Sequence, residues 1–261
     1  MPRAAINGQD IYFEDTGGDG PAVILAHGFL MDQEMFAPQV EALRENYRVI
    51  TWDERGFGRT DFDGRPFSYW DSASDCLGLM DHLGIDRAVV GGMSQGGFLS
   101  LRTALVAPDR VRALILLDTQ AGGEDAEHIE AYTGMLQMWA AAGPVDELAN
   151  TVAGIIINDA AESPKWVAKW QARDKALIAE SGACLMNRDD ISGRLAEITC
   201  PALVVHGTED TAITMDKAEA LAAGLVGCRG VVKVAGAHAA NLTNPEPVNA
   251  AILEFLADLP A

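Results

Sequence analysis

Short apolar runs rich in β-branched residues alternate with stretches of helical periodicity along most of the chain, and this rhythm restricts the fold more than any other feature. The runs are "PAVILAHG" (21–28), "YRVITWD" (47–53), "RAVVGG" (87–92), "VRALILLD" (111–118), "PALVVHG" (201–207) and "GVVKVAG" (230–236). Each is short and uniformly apolar, as strands buried on both faces of a parallel sheet are. Between them, 35–46, 69–84, 97–109, 215–225 and 245–259 fit a helical period. Strand alternating with helix implies right-handed crossovers. The fold class expected is α/β: a mostly parallel central sheet flanked by helices. Ahead of it, Asn7-Gly8 joins two runs that can pair, and Asn-Gly is the preferred two-residue hairpin turn.

The rhythm breaks once, between Gly122 and Ile198, where no buried strand can be read and the pattern is helical. That gap is too long for a loop. We read three segments: a first part of the core (1–121), a helical insertion (122–198) and a second part of the core (199–261).

Bulk properties exclude several functions. The net charge of −19, from 19 basic and 38 acidic residues, makes nucleic acid and anionic membranes poor partners. Cys76, Cys184, Cys200 and Cys228 have neither CxxC nor metal-type spacing, which suggests free thiols in a reducing compartment. "MPRAAINGQD" lacks the apolar core of a signal peptide, and no apolar run approaches the ~18 residues of a membrane span. The expectation is a cytoplasmic protein; its oligomeric state is left open. "GFGRTD" lacks the third glycine of a dinucleotide fingerprint, and there is no P-loop, no H-E-x-x-H and no clustered carboxylate set for a metal. We therefore expect no cofactor and no metal.

Ligands of open α/β sheets bind at the carboxyl ends of the strands. The residues there include a serine, an acid and a histidine in the order Ser94, Asp210, His238. Gly92-Met93-Ser94-Gln95-Gly96 is G-x-S-x-G between a predicted strand and a predicted helix. A turn that sharp strains the serine backbone and leaves no room for side chains two positions away on either side. Of five histidines, His82 lies on a helix face, His128 in the insertion, His206 inside a strand and His27 in the first strand's loop. His238 alone follows the last strand, from where a loop can carry its imidazole over Ser94. Asp210 is the acid best placed to orient it; Glu209 and Asp118 are rivals. The backbone N–H groups of Gln95 and Phe29 are candidates for an oxyanion hole, with His27 shaping the loop. Phe29, Leu30, Met31 and Met93 are candidates to line the pocket, as are Met135, Leu136, Met138 and Trp139 of the insertion, with Trp166 and Trp170 further along. No Arg or Lys clearly marks a carboxylate-binding site; Arg55 is the candidate.

With "HGFLMD", "WDERGFGRTD", "GGMSQGG", "HGTEDTAI" and "GAHAANLTNPEPVNAAI" in this order, the chain resembles the α/β-hydrolase superfamily along nearly its whole length. The resemblance implies that 122–198 is a helical cap over the pocket. It also implies that Asp53, Arg55, Gly56 and Gly58 are scaffold. Within the superfamily the chain is most similar to single-domain esterases and enol-lactone hydrolases. It departs from many of them in having Gln95 where Met follows the nucleophile, so the Gln95 amide could touch substrate. Relatives that use an aspartate nucleophile are excluded by Ser94. The activity implied is hydrolysis of a small apolar ester or lactone through an acyl-enzyme on Ser94. Carbon–carbon bond hydrolysis or perhydrolysis by the same triad, and a non-catalytic binding role, are the alternatives.

Overall fold

The structure, a computed structural model, describes residues 2–260, the side chain of Glu127 excepted. A hairpin opens the chain: β1 (Arg3–Ile6) and β2 (Gln9–Asp15) pair antiparallel. Its turn residues Asn7 and Gly8 both have positive φ, 48° and 82°, as a two-residue turn matched to strand twist requires.

Then follow β3 (Ala22–Ala26), α1 (Ala37–Leu43), β4 (Arg48–Trp52), α2 (Tyr69–His82), β5 (Ala88–Met93), α3 (Gln95–Val106) and β6 (Val111–Leu117). Pro38 in the first turn of α1 lacks an N–H where the helix needs none. Between β6 and β7 the described residues form four α-helices and no strand: α4 (Ala126–Ala142), α5 (Asp146–Ile156), α6 (Ser163–Ala172) and α7 (Ile178–Met186). The chain closes with β7 (Ala202–Gly207), α8 (Met215–Gly224), β8 (Cys228–Val234), α9 (Ala240–Thr243) and α10 (Pro245–Ala257).

The eight strands form one sheet in the order β1-β2-β4-β3-β5-β6-β7-β8, parallel from β4 to β8. Alternate residues face opposite layers. Ile24 and Leu116 pack with Leu79 of α2, Leu99 of α3 and Leu221 of α8. Val23, Leu25 and Ile115 pack with Leu43 of α1 and Ile252 of α10. Both faces are covered, which is why β3, β5, β6 and β7 read as continuous apolar runs. The last run differs from expectation. β8 is an edge strand, and Val232 is 38% exposed, so its apolar residues are not all core.

Two loops diverge where the chain leaves β3 for β4 on one side and later returns to β5 on the other. The crevice at the carboxyl ends of β3 and β5 is thus the topological switch point. No helix among the described residues is long and apolar enough to cross a membrane.

Candidate active site

At that crevice the chain turns from β5 into α3 through a single residue. Ser94 has φ 52° and ψ −112°, a conformation that L side chains rarely adopt. The glycines make the turn physically possible. A Cβ on Gly96 would lie 1.9 Å from the Ala26 carbonyl oxygen, and one on Gly92 would lie 2.3 Å from the same atom. Ser94 N–H donates to Leu117 O (2.9 Å), and Thr119 Oγ1 donates to Ser94 O (2.7 Å). The strained residue is thereby held from both sides by β6 and its loop.

His238, 5% exposed, receives its orientation from Asp210: Nδ1 donates to Asp210 Oδ2 over 2.7 Å. The other Asp210 oxygen accepts the N–H groups of Ala212 (2.8 Å) and Ile213 (3.0 Å). Burial alone would raise the Asp210 carboxyl. The charge and hydrogen bond of His238, the Ile213 N–H and His206 outweigh it and hold Asp210 below the ordinary carboxylate value. The rival Asp118 is spent elsewhere. Its Oδ1 accepts the N–H of Gly207 (2.7 Å), and burial followed by the Asp210 charge pushes its carboxyl well up. Glu209, the other rival, makes no hydrogen bond to His238; among the described residues Asp210 makes it. The loop carrying His238 is also pinned, since Gln39 of α1 donates to Asn241 O (2.8 Å) and accepts from Asn241 Nδ2 (3.2 Å). Ser94 and His238 line one cavity, and no hydrogen bond joins their side chains among the described residues.

Two backbone N–H groups near the cavity have no acceptor among the described residues. Gln95 is the first residue of α3 and has no intrahelical acceptor. Phe29 lies in a turn closed by Met31 N–H to Gly28 O (3.0 Å), with Leu30 at φ 64°, and its own N–H donates to no described residue. The insertion fixes this turn: Trp170 Nε1 of α6 donates to Leu30 O (2.7 Å), and Lys169 bridges Asp32 and Glu34. His27 is structural. Its Nε2 accepts Glu54 N–H (3.0 Å) while Nδ1 donates to Gly28 O (2.8 Å), and burial holds the imidazole down to about 4. Asp53 accepts the N–H groups of Gln33 (2.8 Å) and Arg59 (2.7 Å), a scaffold position.

Several sequence expectations are corrected. The Gln95 side chain does not face substrate. Its Nε2 donates to Glu54 Oε1 (3.1 Å), its Oε1 accepts from Tyr69 (3.3 Å), and it does not line the cavity. Arg55 does not meet a substrate anion at the site: its Nε and Nη2 donate to Asp75 at 2.6 and 2.7 Å, and it does not line the cavity. The cavity takes Phe29, Leu30, Met93, Met135 and Leu136 but not Met31, Met138 or Trp139. Met31 is 1% exposed in the core beneath the turn, and Met138 is 56% exposed on the outer face of α4. Trp139 packs on Trp170, ring centroids 5.9 Å apart, beside a separate small cavity; Trp166 is buried away from both.

The cavity is lined as well by residues the sequence did not single out: Phe98, Gln120, Glu124, Tyr132, Val152, Ile155, Ile156, Leu185, Arg188, Ala212 and Ile213. Phe98 was findable, lying one helical turn past Ser94, and Ala212 and Ile213 adjoin Asp210. Nothing local pairs Glu124 with Arg188 across 64 positions.

A strained serine at a switch point, a histidine–carboxylate pair and two vacant donors beside an apolar cavity define a hydrolase of the α/β type. The family model for the alpha/beta hydrolase fold matches residues 21–245, and the chain belongs to that family. A protein of Rhizobium rhizogenes described as "Putative carbamate hydrolase RutD" is 30% identical over 265 residues, 94% of this chain and 97% of its own. A thermophilic esterase of Thermogutta terrifontis superposes with a TM-score of 0.91 at 28% identity, covering 100% of both chains. The enol-lactonase of Burkholderia xenovorans LB400 does so at 0.91 and 27%, covering 98% of this chain and 100% of that one.

Two expectations test this geometry. Ser94→Gly relieves the backbone strain and should raise stability by about 1 kcal/mol in urea unfolding, while Ser94→Ala, which keeps the Cβ, should not. His27 is depressed in the folded state relative to the unfolded chain. Between pH 6.5 and about 4 the unfolded chain therefore binds the extra proton, and stability falls as pH is lowered through that window. The loss should reach about 3 kcal/mol and be absent from His27→Asn, read as the difference between the two proteins' urea midpoints against pH.

Proposed function

We propose that the protein is a serine hydrolase that cleaves a carboxylic ester or lactone through an acyl-enzyme on Ser94. The observation that carries this is the meeting, on one cavity wall, of strained Ser94 and Asp210-oriented His238. His238 Nε2 takes the hydroxyl proton as Ser94 Oγ attacks the carbonyl carbon. The N–H groups of Phe29 and Gln95 receive the oxyanion. The C–O bond to the leaving alcohol then breaks as the imidazolium returns the proton to it. Water, deprotonated by the same nitrogen, repeats the sequence and releases the acid. A lactone follows the same path, its alcohol remaining on the acyl chain. Asp210 stays ionised throughout and stabilises the imidazolium.

The wall supports an acyl group of some size. Phe29, Leu30, Met93, Phe98, Met135 and Ile156 are among its apolar side chains, and an organic acyl chain gains by burying them. The helices between β6 and β7 supply much of this wall, and we assign them the part of a cap over the site.

The test is a series of 4-nitrophenyl esters from acetate to hexanoate. kcat/KM should rise with chain length as apolar area is buried. Asp210→Asn should lower kcat by about 10³–10⁴-fold with little change in KM. Equal loss of KM and kcat, or no esterase activity in a folded protein, would count against the reading.

A further inference from the structure

The cavity wall contains a buried cation, and its surroundings are specific. Arg188 follows α7, and its side chain is 2% exposed. Its Nη1 contacts Glu124 Oε2 at 3.0 Å, and the Glu124 side chain is 7% exposed. Nε donates to Gly122 O (3.1 Å), Nη2 to Gly123 O (3.1 Å) and Nη1 also to Leu185 O (2.9 Å). Four of the five guanidinium N–H groups are thus occupied. The guanidinium lies 4.7 Å from the centroid of Phe98, another wall residue. Arg188 ties the two ends of the inserted helices together, and Glu124 cancels its charge at the cavity surface.

Two further polar groups reach the same cavity without that engagement. Gln120, 5% exposed, follows β6, and Tyr132 stands on α4. Neither the Gln120 carboxamide nor the Tyr132 hydroxyl has a hydrogen-bond partner among the described residues. These polar atoms are open to the cavity rather than sealed in the core, and Tyr132 is half-buried, so a ligand that fills the cavity covers them and gains if it offers a donor or acceptor in place of water.

We propose that this site selects uncharged acyl chains that carry one hydrogen-bonding group, met by Gln120 and Tyr132, and rejects carboxylates because Glu124 masks Arg188. The inference rests on the acyl-enzyme reading above for its kinetics. A substrate carboxylate would lie beside the Glu124 carboxylate with no free cation to receive it. The net charge of −19 also disfavours approach of an anion. A carboxamide finds both a donor and an acceptor.

The test uses three methyl esters of similar shape: 5-methylhexanoate, which is apolar, glutaramate, which ends in an amide, and glutarate, which ends in a carboxylate. In kcat/KM, glutaramate should exceed glutarate by about tenfold or more, the scale of a hydrogen bond to a charged group. Glu124→Gln unmasks Arg188 and should raise glutarate relative to glutaramate by about tenfold. Tyr132→Phe and Gln120→Ala should each lower the ratio of glutaramate to 5-methylhexanoate by about two- to tenfold, as expected for one neutral hydrogen bond. Should Glu124→Gln fail to fold, the native ratios and the Tyr132→Phe ratio still decide the matter. Calorimetric titration of Ser94→Ala with the same esters reads the selectivity without turnover. A native preference for glutarate, or a glutaramate ratio unmoved by both wall variants, overturns the proposal while leaving ester hydrolysis intact. Binding that follows the predicted order with no turnover by the native protein would sustain the selectivity and overturn the acyl-enzyme.

Discussion

The close approach of the β5–α3 turn to the Ala26 carbonyl governs the rest of this molecule. With Cβ positions on Gly92 and Gly96 only 2.3 and 1.9 Å from that oxygen, α3 can start against β3 only if both residues are glycine. That contact goes with Ser94 at φ 52° where β5 gives way to α3, at the switch point of the sheet. The strain is sustained by the surrounding sheet. Leu117 and Thr119 hold the Ser94 backbone from β6, and apolar residues on both faces leave that strand no freedom to yield.

Around this fixed point the other parts are positioned by buried polar contacts of defined geometry. His27 cross-links the Phe29 turn to the segment after β4 through Glu54 N–H. Trp170 and Lys169 tie the inserted helices to the same turn. Asp210 stands between two imidazoles: His238 at 2.7 Å, and His206, whose Nε2 also donates to Ile213 O, at 3.3 Å. Burial depresses the His206 imidazole, while the Asp210 charge and the Ile213 carbonyl act in the opposite direction. The chemistry proposed for Ser94 thus relies on orientation set before substrate arrives.

Much of this was legible in the sequence because it is local. The apolar runs of β3 to β7 state their burial directly, and G-x-S-x-G states a steric requirement between residues two apart. Asp210 and His238 follow strands, and strand ends are where an α/β sheet collects its functional groups. What was not legible depends on which way a side chain points after packing. Met31, Met138 and Trp139 have the right composition for a pocket wall, yet they face the core, the outer surface of α4 and Trp170. Gln95 adjoins the serine, but Glu54 and Tyr69 draw its amide to the other side of the helix. The Glu124–Arg188 pair joins residues at opposite ends of the insertion, a relation that periodicity does not encode. β8 read as core because apolar composition does not distinguish an edge strand from a central one.

The central claim is that the Ser94 turn presents an activated hydroxyl, and the most direct measurement is covalent labelling. The native protein and Ser94→Ala would be treated with a fluorophosphonate and examined by intact mass and peptide mapping. The account predicts one stoichiometric adduct on the peptide that contains Gly92-Met93-Ser94-Gln95-Gly96, and none on the variant. A folded native protein that takes no label at Ser94, or a variant that is labelled equally, would contradict it.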